Sequence, residues 1–443
     1  MMTFKRPRAV GPAIAILIFY LLCVGPSLGS ETASKSPDYQ ELRLFRQVMG
    51  IVQKNYVKEV SDKELIQGAI NGMLQSLDPH SSFLTEDLFK ELQVETKGEF
   101  GGLGIEITLE NGVLTIVSPI EDTPAYRAGL KPGDKIIKIN GDSTKNITLL
   151  KAVKKMRGPK GTKVTLTIMR EGFGKFKDFT LTRDMIHVRS VKKQVLDPGY
   201  LYVRIVNFQE STEADLKAAI NQYAEEEPIK GLILDLRNNP GGLLDQAVKV
   251  ANLFVDKGLI VYTDGRVKDQ RMEFRAAKTG KHYDFKTAVL INQGSASASE
   301  IVAGALQDHD RAVILGEKSF GKASVQTIIP LDNGAGLRLT TAYYYTPKGR
   351  HIQEKGIVPD VDLKEEIQKQ QDKEFDEESK QESKQDDKKK KRKSRFERDS
   401  KEELLQDVVV SKAVDWLKST KSVEDYKKEL QQKEMPETAW YEK

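Results

Sequence analysis

One run of small residues and one lysine in this chain could together cleave an acyl bond. Gly294-Ser295-Ala296-Ser297-Ala298-Ser299-Glu300 follows an apolar stretch, Ala288 to Ile291, and opens a helical pattern reaching Gln307. A serine there can attack a carbonyl, because a helix N-terminus offers unpaired N–H groups and partial positive charge to an oxyanion. The same pattern suits a plain helix cap, since serine is a favoured N-cap residue. A serine nucleophile also needs a base. His80, His187, His282, His309 and His351 sit in no triad pattern. His309 ends the Ser297 helix roughly 15 Å or more away, at about 1.5 Å per residue. Lys322, in Gly316-Glu317-Lys318-Ser319-Phe320-Gly321-Lys322, is the more attractive base. A free lysine, with a pKa of about 10.4, is a poor base at neutral pH, and burial can lower that by several units. Spacing alone does not separate this reading from an ordinary surface lysine.

The elements that must position these groups read as α/β. Residues 185–362 alternate strand and helix: Leu201 to Val206, a helix capped by Thr212 and running through Tyr223, Gly231 to Leu236, then a helix to Phe254. Ala288 to Ile291, the Ser297 helix and Ala312 to Leu315 follow, which predicts a core of buried parallel strands. Residues 98–184 differ. Ile105, Ile107 and Leu109 alternate with polar residues before an Asn111-Gly112 turn into Val113 to Val117, and a second Asn-Gly pair stands at 140–141. Short strands, a helix over Pro124 to Leu130 and another over Leu149 to Met156 describe a compact β-rich module.

At the N-terminus, Lys5, Arg6 and Arg8 precede the apolar stretch Val10 to Leu28, with Gly29 and Ser30 after it. Residues 1–30 therefore read as a secretory signal peptide or a retained membrane anchor, and either sends the rest of the chain out of the cytosol. The sole cysteine, Cys23, lies inside this segment behind Leu22, which disfavours lipidation. Its removal would leave no disulfide, cysteine nucleophile or thiolate metal site. Residues 38–97 form a helical segment. Leu42, Phe45, Val48, Met49 and Val52 lie at helical spacing, and a second helix begins at the Ser61–Glu64 capping box with the face Leu65, Ala69, Ile70, Met73 and Leu77. So small a unit should pack on something larger or dimerise. Charge is balanced, 70 basic against 65 acidic residues, and mixed in sign, so no nucleic-acid footprint is indicated. Residues 364–399 are almost wholly Lys, Glu, Asp and Gln and predict a disordered or loosely helical linker. Residues 400–443 open with Ser400-x-x-Glu403 and carry Leu404, Leu405, Val408, Val409, Ala413, Val414 and Leu417, an apolar helix that needs a partner surface.

Gly294 to Ile301, Gln307-Asp308 and Gly316 to Gln326 closely resemble the tail-specific, C-terminal processing proteases, a Ser–Lys peptidase family. Ser297 and Lys322 have that family's 25-residue spacing; Ser295 and Ser299 do not. The resemblance also takes in Leu77-Asp78-Pro79-His80-Ser81, Asp235 to Gly242, Tyr345-x-Pro347-x-Gly349 and Gly356 to Asp360. It implies Ser297 as nucleophile, Lys322 as base and Gln326 holding the amine, with Asp308 in a supporting role. It also implies an oxyanion hole from Ala298 and Gly241 or Gly242. Residues 98–184 resemble a PDZ domain, with Gly102-Leu103-Gly104-Ile105 as the loop that captures a peptide C-terminus.

The implied fold is a ββα-spiral, crotonase-like core with the PDZ domain inserted after the N-terminal helices. The implied function is serine endopeptidase action on exported proteins near their C-terminal tails, with no metal or cofactor. Partners would be proteins or peptides with exposed C-termini, together with a homodimer contact through the last helix. The location would be the bacterial periplasm, free or held to the inner membrane through residues 1–30. Rival classes are a catalytically silent PDZ scaffold and a histidine-dependent esterase. One departure stands out: Ala323 replaces the glycine usual after the lysine, which would strain the backbone if that position needed positive φ.

Overall fold

The strands Gly231–Asp235 and Lys286–Ile291 are apolar on both faces because both faces are covered. They lie inside a six-stranded sheet ordered Val191–Asp197, Tyr200–Ile205, Gly231–Asp235, Lys286–Ile291, Val313–Gly316, Val361–Asp362. The first pair is antiparallel and the remainder parallel. Side chains alternate across it. Leu201, Val203, Leu232, Leu234, Val289 and Ile314 face a core with the helices Thr212–Glu226, Leu244–Asn252 and Ala298–Asp308. Tyr202, Ile233, Leu290, Val313 and Leu315 face the opposite way.

These observations come from a computed structural model, which describes residues 39–170, 172, 174–277, 282–382 and 400–434. The expected signal or anchor at 1–30, residues 383–399 of the linker and the last nine residues lie outside the described residues. The described residues from 70 onward constitute one compact unit and those up to 69 another. In the latter, the helix Tyr39–Asn55 leaves Leu42, Phe45 and Val48 exposed.

The opposite face of the sheet is covered by two segments of the C-terminal part of the chain. The C-terminal segment, expected to be one apolar helix with a partner surface, finds that surface on the chain's own sheet. It breaks at Asp407 into Lys401–Gln406 and Val408–Lys418, and Leu404, Val409, Val410, Ala413, Trp416 and Leu417 close over the chain's own sheet. Of the linker read as disordered or loosely helical, Lys364–Glu382 is a helix. Ile367 packs into that core, and Gln370 accepts from the Val408 N–H and donates to the Gln406 carbonyl. One apolar anchor and one amide tie this helix to the core.

A second, antiparallel sheet went unread. Its long strand Gly336–Tyr345 pairs with Ser82–Leu84, Leu259–Gly265 and Ser324–Pro330. The helix Glu86–Lys97 lies beside it, with Phe89 against Gly336. On the second N-terminal helix, Asp62–Gln75, Leu74 is the buried residue, whereas Met73 and Leu77, expected inside, are exposed. In the β-rich module, Ile105–Glu110, Val113–Pro119, Lys135–Ile139, Lys163–Met169 and Lys177–Thr182 form one sheet around Leu114, Ile136, Leu166 and Ile168. A two-stranded ladder, Glu99–Gly102 with Asp184–His187, brings its entry and exit together.

Candidate active site

The three serines of the small-residue run are put to different uses. Ser295 and Ser299 are fully buried and donate to the carbonyls of Leu236 at 2.8 Å and Asn239 at 2.9 Å. Ser297 is the N-cap of Ala298–Asp308, and its hydroxyl makes no capping bond. Its backbone stands at φ 55°, ψ −113°, a region that costs a non-glycine residue about 1–3 kcal/mol and recurs at functional sites.

Glu300 fixes this turn. Its fully buried carboxylate accepts from the N–H of Ser297 at 2.8 Å, of Gly321 at 2.7 Å and of Lys322 at 2.9 Å, and from the Ser319 hydroxyl at 2.5 Å. Burial pushes its pKa up, against those four bonds. The buried Tyr344 hydroxyl lies 3.0 Å from the Ser297 carbonyl and 2.5 Å from that of Lys322. Two side chains thus hold the backbones of residues 25 apart in sequence.

The Lys322 and Ser297 side chains open into one cleft of about 490 Å³, whose walls include Leu92, Phe208, Leu244, Ile301 and Val325. Burial, then the Arg338 guanidinium, pushes the Lys322 amine below the ordinary lysine range; Asp78 and Glu300 partly oppose this. His80 is pushed down too, by burial and then by Lys322. Burial would raise Asp78, but hydrogen bonds from Ser81, His80 and Thr340 hold it below its usual value. Among the described residues, no histidine lines the cleft. No hydrogen bond there joins the Lys322 amine to the Ser297 hydroxyl. Gln326, expected to hold that amine, donates instead to the Ser324 hydroxyl at 2.9 Å, the Ser324 carbonyl and Thr340. It falls at a β-bulge between Val325 and itself.

Gly241 approaches Ser297 so closely that a Cβ there would meet Ser297 Cβ and the Ala296 carbonyl at 2.8 Å, at φ 107°. Its N–H is committed to Asn239 Oδ1 at 2.9 Å. The neighbouring Gly242 N–H makes no bond among the described residues, and Ala298, opening its helix, has no intrahelical acceptor. Asp308 lies at the far end of that helix, pairing with Arg350 at 2.5 Å and accepting from the Lys348 N–H. It therefore ties down the turn before Arg350. Ala323 does not adopt positive φ, so the expected strain is absent.

Behind the 236–242 loop, Arg237 makes a forked contact with the buried Asp235, with Nη2 at 2.6 Å from Oδ2, and its Nη1 meets Asp407 Oδ2 at 2.7 Å. Tyr202 donates to Asp235 at 2.6 Å. Burial alone would raise the Asp235 carboxyl, but the guanidinium holds it low.

In the β-rich module the carbonyls of Leu103 and Gly104 are taken by the N–H groups of Ala125 and Ile120 and the Thr123 hydroxyl. The Leu103 and Gly104 N–H groups make no bond among the described residues. Gly104, at φ 73°, has no room for a Cβ beside Thr123. An apolar cavity of about 60 Å³ adjoins, lined by Leu103, Ile105, Ile107, Val153 and Met156. Arg157 borders it and pairs with Glu91 at 2.5 Å.

Comparison with known proteins agrees with this layout. The profile described as Peptidase family S41 matches residues 199–363, that of the PDZ domain 91–169, and that of the activating protease CtpB N-terminal domain 26–88. A carboxy-terminal-processing protease of Bartonella bacilliformis is 52% identical over 344 residues, 76% of this chain and 79% of that protein. The chain belongs to the carboxy-terminal-processing protease family. Similar too is the carboxy-terminal processing protease CtpA of Bacillus subtilis, 40% identical over 311 residues, 70% of this chain and 66% of that one. Among solved structures, a photosystem II D1 C-terminal processing protease is 30% identical across 74% of this chain and 94% of its own, with a TM-score of 0.43.

As a carboxy-terminal-processing protease the chain is a serine peptidase of family S41 carrying a PDZ domain. Among the described residues no helix is long and apolar enough to cross a membrane. Sequence reading passed over Glu300, Arg338, Tyr344 and Asp407. Only Glu300 left a signal, since Ser297-x-x-Glu300 has capping-box spacing. The others reach the site through pairings over distances no local pattern records.

Proposed function

We propose that Ser297 and Lys322 form the catalytic dyad of a C-terminal processing endopeptidase. The observation that carries this is the Glu300 carboxylate, which holds the backbone of both residues while their side chains share one cleft. A substrate tail ending in an apolar residue docks at Gly102-Leu103-Gly104-Ile105. Its carboxylate meets the free N–H groups, and its last side chain enters the adjacent apolar cavity. Upstream polypeptide lies across Ser297. Neutral Lys322 takes the Ser297 proton as Oγ attacks the scissile carbonyl. Ala298 and Gly242 N–H groups receive the oxyanion, with Gly241 leaving room for it. The protonated amine gives its proton to the departing peptide nitrogen, and water, deprotonated by Lys322, releases the acyl-enzyme. Gln326 turns towards the amine when the dyad engages, and Asp308 supports the far end of the nucleophile helix. Residues 1–30 export the chain to the periplasm or anchor it to the inner membrane. The exposed apolar face of Tyr39–Asn55 supports homodimer formation.

The test is hydrolysis of an unfolded protein with a free apolar C-terminus and of the same protein amidated there. Wild type should cut the free form faster, and Ser297→Ala and Lys322→Ala should each lose nearly all turnover while unfolding at the wild-type temperature. Substantial turnover by either variant, purified free of other proteases, would defeat the assignment.

A further inference from the structure

The segment from Ser400 lies beyond the residues matched by the S41 profile, which ends at 363, yet it reaches the loop beside the nucleophile. Asp407 divides its two carboxylate oxygens between two tasks. Oδ1 caps the helix Val408–Lys418, accepting from the N–H groups of Val409 at 2.9 Å and Val410 at 3.4 Å. Oδ2 accepts from Arg237 Nη1 at 2.7 Å.

Arg237 begins the loop in question. Its backbone N–H and its Nε both donate to Asp235 Oδ1, and its side chain is only 15% exposed. From there the chain is strapped residue by residue to the nucleophile turn. Asn238 and Asn292 exchange two hydrogen bonds, at 2.8 and 3.1 Å. The Asn239 carbonyl accepts from Ala296 N–H and Ser299 Oγ, and Gly241 abuts Ser297. The Arg237 guanidinium is thus the joint between the C-terminal helices and the oxyanion-donor loop.

We propose that Asp407 is a positioning residue for catalysis: by closing on Arg237 it makes the C-terminal helices part of the frame that sets the oxyanion-donor loop against Ser297. This rests on the reading of Ser297 as nucleophile. A plain cap would need only Oδ1, and nothing in capping requires Oδ2 to face a buried guanidinium.

The two tasks separate in Asp407→Asn. Asparagine caps as well as aspartate, so the helix stays, but its amide nitrogen would confront Arg237 Nη1, donor against donor. Leu417→Ala is the comparator: it thins the packing of the same helix under Gly231 without touching the latch. Two readouts are taken on the full chain: kcat and KM for an unfolded protein substrate, and hydrogen exchange of amides 237–243 by mass spectrometry.

Asp407→Asn should lower kcat by about tenfold or more with KM little changed, speed exchange in 237–243, and leave the unfolding temperature near wild type. Leu417→Ala should lower the unfolding temperature and leave kcat unchanged well below it. Unchanged exchange in Asp407→Asn overturns the proposal, as does a kcat loss that Leu417→Ala reproduces. If wild type itself hydrolyses nothing, the dyad reading fails, while the exchange measurement still decides whether Asp407 holds the loop.

Discussion

Of the residues around Lys322, Arg338 and Asp78 act on its amine in opposite directions. Arg338 lowers its pKa and Asp78 raises it. Only the neutral amine can take the Ser297 proton, so kcat/KM should rise with pH through the Lys322 pKa. Removing the neighbouring positive charge in Arg338→Gln makes protonation easier, and the acid limb should move to higher pH. Asp78→Asn should move it to lower pH. The check is a pH profile of kcat/KM for the three proteins. Shifts in one common direction would show that another group sets the limb. The small residues around a serine were legible locally, whereas the choice of Ser297 with Lys322 came only through the family resemblance, because spacing alone does not mark a base. The charges that tune the amine were not legible, since Asp78 and Arg338 are 260 residues apart in the numbering and meet through the pairing of Ser82–Leu84 with Gly336–Tyr345.

At the scale of elements, the buried parallel strands announced themselves through unbroken apolar runs, and the helix Leu149–Met156 falls where it was expected. The strands that escaped are those with one wet face or few apolar residues. Val191–Asp197 is an edge strand carrying Lys192 and Lys193, and Ser324–Pro330 has no alternation strong enough to stand out. The C-terminal helix was legible as apolar but its partner was not, because nothing local says which face of which sheet lacks a cover. Trp416 is buried in that cover, and its indole N–H finds no acceptor among the described residues. Trp416→Ala should therefore cost about 3–5 kcal/mol in denaturant unfolding. Trp416→Phe, which removes the unpaired N–H and keeps most of the ring, should cost far less. Equal losses would mean that the ring's packing contributes little.

Taken whole, the proposed mechanism arranges two recognition events along one polypeptide: capture of a C-terminus by the β-rich module and cleavage at the Ser297 turn. The helix Glu86–Lys97 connects them, since it pairs with the module through Glu91 and lines the Ser297–Lys322 cleft with Leu92. In the proposed mechanism all of it serves the Lys322 amine and the Ser297 hydroxyl, whose backbones one buried carboxylate holds. The most direct measurement is covalent labelling with a fluorophosphonate at neutral pH, read by intact mass and peptide mapping on wild type and Lys322→Ala. A single adduct on Ser297 in wild type, with labelling all but lost in Lys322→Ala, is the predicted result. An adduct on any other residue, or labelling of Ser297 at an undiminished rate without Lys322, would contradict the account.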